Sequence, residues 1–216
     1  TKYCVQVNDP NEIPLILEKA YTIALEGRPG PVLIDIPMDV QRTQIEVTNI
    51  IPDKRILKYI DSTVLESLSK EILKAKKPLV LSGRGIKASG SQELFNEFIN
   101  KTKIPVITSL LGLDTISFDD KNRVGFIGSY GNRWANIAFG ECDLLIVLGA
   151  RLDIRQTGAD TRFIENRTIY HIDCELAEIN NRVKGCIGIE SELTDFFEEF
   201  KSKTENYKFE SPIDWL

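Results

Sequence analysis

Read for the rhythm of apolar and polar positions, the chain changes character near residue 60. Before that point one helical stretch stands out. Ile13, Ile16, Leu17, Ala20, Ile23 and Ala24 recur at the spacing of a buried helix face. Asp9, Pro10 and Glu12 predict its start, as a capping residue, a first-turn proline and a reciprocating acid. Gly27 predicts its end. The run Val32–Ile36, fenced by Pro31 and Pro37, predicts a strand apolar on both faces. Such a strand belongs inside a parallel sheet covered on each side. Residues 1–45 offer no second convincing strand to pair with it, so they read as the tail of an α/β domain whose body lies upstream. Residues 46–61 read as a linker.

From Ser62 the pattern becomes regular. A helix carries Val64, Leu65, Leu68, Ile72 and Leu73, with lysines clustered at its C-terminus as the macrodipole favours. The strand "PLVLSG" follows. Ser89 and Gln92 predict a capping box opening a helix with Leu94, Phe95, Phe98 and Ile99 on one face. Then come the strand "IPVITSL", a loop through Gly112 and a helix near Asn132–Gly140. The strand "DLLIVLGAR" leads through an irregular stretch to the strand "TIYHID" and a short helix with Ala177 and Ile179. A last helix carries Leu193, Phe196, Phe197 and Phe200. This alternation predicts, over residues 62–201, an α/β domain with a mostly parallel sheet. Residues 202–216 read as a linker towards a further domain, because Trp215 and Leu216 are unusual at a solvated end.

Composition removes several function classes. The profile, 42% hydrophobic and 27% charged, suits a soluble globular protein. A net charge of -5 with no long basic run argues against nucleic acid as a partner. The longest apolar runs, such as Leu144–Leu148, are too short to span a bilayer, and no secretory pattern is visible. Cys4, Cys142, Cys174 and Cys186 show no CxxC spacing and no local pairing with His171. They read as reduced, mostly buried thiols in a cytoplasmic protein, with neither zinc nor disulfides.

The candidate chemistry sits where strands end. Gly83 and Gly85 follow one strand, Gly112 the next and Gly149 the third. Ligands of open α/β sheets bind at that edge, and glycine lets a backbone approach a phosphate. Gly90 does not complete the Gly-x-Gly-x-x-Gly spacing, so these glycines read equally as tight strand-to-helix turns. Asp173 closes a strand and suits either a ribose contact or a helix cap. Arg151, Asp153 and Arg155 alternate after a buried strand. Two arginines there would hold a diphosphate, with the aspartate orienting one of them, or the segment is a solvated loop. His171 reads as structural, and no nucleophile triad or acid pair is discernible.

These residues carry a resemblance. "GRPGPVLIDIPMDVQ" resembles the end of the pyrimidine-binding domain of thiamine-diphosphate-dependent enzymes of the acetolactate synthase type, and residues from about 55 to 200 resemble their central domain. The resemblance implies a Rossmann-like parallel sheet with helices on both faces, which holds FAD in many members, ADP in some and nothing in others. The implied nucleotide contacts begin with Gly83, Arg84 and Gly85, then Ser109, Leu110 and Leu111. They continue with Ile127, Gly128, Ser129 and Tyr130, and with Gly149, Ala150, Arg151, Asp153 and Arg155. Asp173 would lie near the adenosine, Glu190 lies near the family's last acidic contact, and Lys2 resembles a lysine at the mouth of the substrate channel. Ser129-Tyr130, Ile154 and Gln156 depart from the flavin-containing synthases and resemble their synthase-like relatives.

The implied parent is a cytoplasmic homo-oligomer that decarboxylates a small-molecule 2-oxo acid on thiamine diphosphate with Mg2+ and passes the fragment to an acceptor. The resemblance places its catalytic glutamate upstream of Thr1 and its magnesium-binding Gly-Asp-Gly…Asn motif downstream of Leu216. No catalytic or metal-binding residue is therefore expected within the chain, and no turnover from it alone. Two other readings are a non-catalytic adenine-nucleotide-binding module and a nicotinamide-dependent oxidoreductase. The absent Gly-x-Gly-x-x-Gly counts against the latter.

Overall fold

The computed structural model describes residues 1–46, 60–160, 164 and 167–210. Most of the expected linker at 46–61 lies outside the described residues, as do Trp215 and Leu216. The chain forms two compact units, Thr1–Leu57 and Lys58–Leu216.

In the first unit β1 (Tyr3–Gln6), α1 (Ile13–Leu25) and β2 (Val32–Asp35) make one strand–helix–strand crossover, and α2 (Met38–Arg42) follows. The two strands pair in parallel from Tyr3↔Val32 to Gln6↔Asp35. This corrects two expectations. Val32–Asp35 does have a strand partner, and it is not covered on both faces. Val32 and Ile34 are half-buried while Leu33 is 56% exposed, the period-two pattern of a half-buried strand. Val7, Ile16 and Val40 form the small core. Asp9 caps the 3₁₀ turn Pro10–Glu12 by accepting the Asn11 N–H at 2.9 Å, and α1 starts only at Ile13. Lys2 donates its Nζ proton to the Glu26 carbonyl near the end of α1.

The second unit runs α3 (Ser62–Lys74), β3 (Pro78–Ser82), α4 (Gly85–Ala88), α5 (Gln92–Thr102), β4 (Val106–Thr108) and β5 (Arg123–Phe126). It continues with α6 (Arg133–Glu141), β6 (Leu144–Leu148), α7 (Ile154–Thr157), β7 (Thr168–Asp173), β8 (Ile187–Glu190) and α8 (Leu193–Lys203). The sheet order is β5-β4-β3-β6-β7-β8, with every adjacent pair parallel. β3 and β6 occupy the centre and are buried along their whole length.

Alternation along these strands builds two cores. Leu144, Ile146 and Leu148 join one core with Val80, Leu65 and Leu68 of α3, Phe95 and Phe98 of α5, and Phe196, Phe197 and Phe200 of α8. Leu145 and Val147 join the other with Leu79, Leu81 and Ala135, Ala138 and Phe139 of α6. Helices therefore cover both faces, which is why the central strands read as continuous apolar runs.

Some local expectations change. α5 takes Ser91 rather than Ser89 at its N-cap position. The Ser89 hydroxyl instead donates to the Gly85 carbonyl at 2.8 Å, and the Gln92 amide donates to the Thr115 carbonyl at 2.6 Å. Cys142 and Cys186 are buried, Cys174 is half-buried and Cys4 is exposed. Among the described residues no helix is long and apolar enough to cross a membrane.

Candidate functional site

Because all six strands of the larger sheet run the same way, the loops that follow them meet at one edge. From β3 the chain moves outward to β4 and β5, and from β6 it moves the other way to β7 and β8. The loops after β3 and β6 flank the point where these paths diverge, which is where open α/β sheets hold ligands. Gly83, Arg84 and Gly85 follow β3, and Gly149, Ala150 and Arg151 follow β6.

The two loops are in direct backbone contact. The Gly83 N–H donates to the Leu148 carbonyl at 2.9 Å, and the Gly85 N–H to the Gly149 carbonyl at 3.1 Å. A Cβ on Gly83 would lie 2.1 Å from the Gly149 oxygen, and one on Gly85 would lie 2.6 Å from the Gly149 Cα. A Cβ on Gly112, after β4, would likewise lie 2.7 Å from the Ser82 oxygen, and the Ser109 N–H donates to that same carbonyl at 2.9 Å. The glycines are required because backbone meets backbone. This corrects one expectation: the N–H groups of Gly83 and Gly85 point at protein carbonyls, so a phosphate there would rely on other groups.

Side chains supply the open chemistry. Arg84, Leu110, Leu111, Arg151 and Arg155 are exposed on the loops that follow β3, β4 and β6. Asp153 does not orient an arginine side chain. Its Oδ1 accepts the N–H groups of Arg155 at 2.9 Å and Gln156 at 3.2 Å, capping α7. Arg151 pairs with Glu178 instead, Nε to Oε1 at 2.7 Å. The hydrogen bond to Glu178 and its charge hold the guanidinium pKa above its ordinary value.

The turn after β5 is fixed to the loop after β6. The Gly128 N–H donates to Asn136 Oδ1 at 2.9 Å, and Asn136 Nδ2 donates back to the Gly128 carbonyl at 3.1 Å. The Ser129 N–H donates to the Arg155 carbonyl at 3.1 Å. Gly128 has φ +111, and a Cβ there would lie 2.3 Å from the Arg155 oxygen. Ile127 is buried in the core beneath, while Ser129 and Tyr130 face solvent.

Ala150 is pinned by His171, whose Nε2 lies 2.8 Å from its carbonyl oxygen and must be the donor there. Burial lowers the His171 pKa, so the ring is held neutral and structural. Leu152 is buried at φ +51, a left-handed conformation uncommon for a bulky residue. Asp173 and Glu190 stand opposite each other at the ends of β7 and β8. Asp173 Oδ1 accepts the Glu175 N–H at 3.0 Å in a local turn, but the helical turn Leu176–Glu178 has Glu175 at its N-cap position, so Asp173 is not its cap.

Glu178, Asn136 and Leu152 carry no sequence signal of these roles. Glu178 lies between Ala177 and Ile179 in an ordinary helical pattern, and only the approach of β6 and β7 brings it to Arg151. Two surface hollows are present elsewhere on the unit, the second of them bordered by Thr115 in the stretch after β4. One, of about 510 Å³, is lined by Phe98 and Phe200 between α5 and α8; the other, of about 380 Å³, lies beside Asn96 and Asp120. Among the described residues no group of three or more His, Cys, Asp or Glu is placed to hold a metal ion.

Comparison with known proteins agrees with this architecture. Residues 65–200 match the sequence model of the family described as thiamine pyrophosphate enzyme, central domain. The acetolactate synthase large subunit of Lactococcus lactis subsp. lactis is 37% identical over 226 residues, covering 95% of this chain and 39% of that protein. The probable acetolactate synthase large subunit of Methanocaldococcus jannaschii is 34% identical over 223 residues, covering 100% of this chain and 38% of that protein. The crystal structure of benzoylformate decarboxylase from Polynucleobacter necessarius shares the fold, with a TM-score of 0.78 at 19% identity over 93% of this chain and 38% of that one. The chain thus spans about two fifths of the length of these relatives. By the family match, the resemblance to synthase large subunits and the shared fold, this chain belongs to the thiamine pyrophosphate enzyme family and carries its central domain.

Proposed function

We propose that this chain is the central domain, with an adjoining piece of the pyrimidine-binding domain, of a thiamine-diphosphate-dependent 2-oxo acid decarboxylase or carboligase of the acetolactate synthase type. In the longer protein, thiamine diphosphate and Mg2+ would supply the electron sink for decarboxylation. The residues of this chain serve as scaffold and hold an adenine nucleotide, FAD or ADP, at the carboxyl edge of the sheet. The observation that carries this reading is the convergence of the loops after β3 and β6 at the point of divergence, with Arg151 and Arg155 exposed beside them. Asp173 and Glu190 stand at the ends of β7 and β8, and Asp173 would meet the adenosine.

Calorimetry with ADP and FAD tests it. The chain should bind one of them, and Arg151→Ala should weaken that binding about tenfold or more, the loss of a charge-assisted hydrogen bond. Unchanged affinity in the variant rejects the arginine assignment. A second reading, a scaffold with no nucleotide, is favoured by the engagement of the Gly83 and Gly85 N–H groups with carbonyls of the same unit. Absence of binding at millimolar ADP and FAD selects it.

The 216 residues alone should release no carbon dioxide from pyruvate with thiamine diphosphate and Mg2+. Turnover above background in a coupled assay overturns it.

A further inference from the structure

We propose that Glu178 is the positioning residue of this site, holding Arg151 so that the Nη1–Nη2 edge of its guanidinium stands as a preformed fork for a diphosphate; the inference rests on the nucleotide reading above. Arg151 is fixed at both ends. On one side its backbone follows Ala150, whose carbonyl accepts from His171, and on the other it precedes Leu152, buried at φ +51. At the far end its Nε lies 2.7 Å from Glu178 Oε1. The Glu178 side chain is 9% exposed whereas that of Arg151 is 53% exposed, so a buried carboxylate anchors a guanidinium that opens to solvent.

The geometry matters because a guanidinium has two useful edges. One runs along Nε, and the other carries the parallel N–H groups of Nη1 and Nη2. Among the described residues Arg151 has one ion-pair partner, Glu178, and that partner takes the Nε side. The end-on edge is left with the spacing that matches two oxygens of one phosphate. An ordinary surface arginine loses rotamer freedom when it binds an anion. Arg151 has lost that freedom beforehand.

Glu178 also carries a negative charge, which by itself opposes an anion. The two effects have opposite signs, and a pair of variants separates them. Glu178→Gln keeps an oxygen that accepts the Nε–H and removes the charge. Glu178→Ala removes both. Calorimetry with ADP and with inorganic pyrophosphate should show Glu178→Ala weakened about threefold to tenfold, the range expected for one side chain that must be immobilised on binding. Glu178→Gln should bind as the wild type does, or more tightly. Tighter binding in both variants means that charge alone matters and overturns the proposal. Unchanged binding in Glu178→Ala also overturns it. Equal weakening in both, with lower thermal stability, makes Glu178 a folding residue and overturns it too.

A second readout does not depend on any nucleotide. In nitrogen-edited spectra the Arg151 Nε–Hε signal should be displaced and slow to exchange in the wild type, and should collapse to the free-arginine position in Glu178→Ala. Absence of ADP and pyrophosphate binding with a displaced wild-type signal removes the nucleotide reading and keeps the positioning. A wild-type signal at the free-arginine position removes the positioning itself.

Discussion

Gly149 has two independent reasons to be glycine. Its φ of +58 disfavours any Cβ by roughly 1–2 kcal/mol, and a Cβ there would lie 2.6 Å from the Gly85 Cα, a backbone atom that cannot rotate away. Gly149→Ala should therefore destabilise by about 2–4 kcal/mol, combining both effects. Gly90 is the control. Its φ is +69, but nothing lies within 4 Å of a Cβ, so Gly90→Ala should lose only about 1–2 kcal/mol. Equal urea midpoints for the two variants would falsify the close approach of the loops after β3 and β6. Burial lowers the His171 pKa below its ordinary 6.5, so in acid the unfolded chain takes up a proton that the folded chain resists. The contribution of His171 is complete above that value and is lost as pH falls through the folded pKa. Cys186 has the opposite sign, because burial pushes its thiol from 9.0 up to about 11. Its contribution is complete below 9.0 and is lost as pH rises towards about 11. Urea midpoints should fall at both ends, and His171→Gln should flatten the acid limb alone.

Elements differ in how strongly their own residues specify them. α3, α5 and α8 each repeat apolar residues over three turns, and β3 and β6 are unbroken apolar runs, so their type is visible without any partner. β1 and β5 are four residues each, and β5 contains Arg123 and Gly125. Nothing local favours a strand in β5, and it exists because β4 offers a ladder to pair with. The cap of α5 moved from Ser89 to Ser91 because the short helix α4 occupies Gly85–Ala88 and takes the Ser89 hydroxyl for its own carbonyls. The pair β1–β2 is a two-stranded parallel sheet with Cys4, Gln6, Leu33 and Asp35 exposed. Two strands alone protect their ladder poorly. Amides of Val32–Asp35 should exchange with solvent much faster than those of Leu144–Leu148, which lie fully buried between β3 and β7. Comparable protection in the two strands would mean that the first unit is far more rigid than its core of Val7, Ile16 and Val40 suggests.

For the molecule as a whole, the two units have very different means of support. Lys58–Leu216 encloses two large cores on the faces of a six-stranded sheet. Among its described residues Thr1–Leu57 buries only the apolar side chains of Val7, Ile16, Ala20 and Val40, too few for a segment of that size to overcome chain entropy. Residues 58–216 expressed alone should therefore unfold in one cooperative step, and residues 1–57 alone should show no cooperative transition by circular dichroism. A sharp transition in the short piece would contradict this assignment of stability.

Periodicity and glycine placement determined much of this protein in advance. The α/β class, the central strands and the loops at which glycines gather are visible along the chain, because each depends on spacings of a few residues. The tertiary structure alone decided what those glycines do. Gly149 is distant in sequence from Gly83 and Gly85, and their backbones touch only because β3 and β6 are neighbours at the point where the crossovers diverge. It also decided the partner of Arg151. Asp153 is two residues away and caps α7, whereas Glu178 is brought across from the loop after β7. Side-chain partnership at such an edge is a matter of strand order, and strand order is a long-range property that no local pattern of apolar and polar residues encodes.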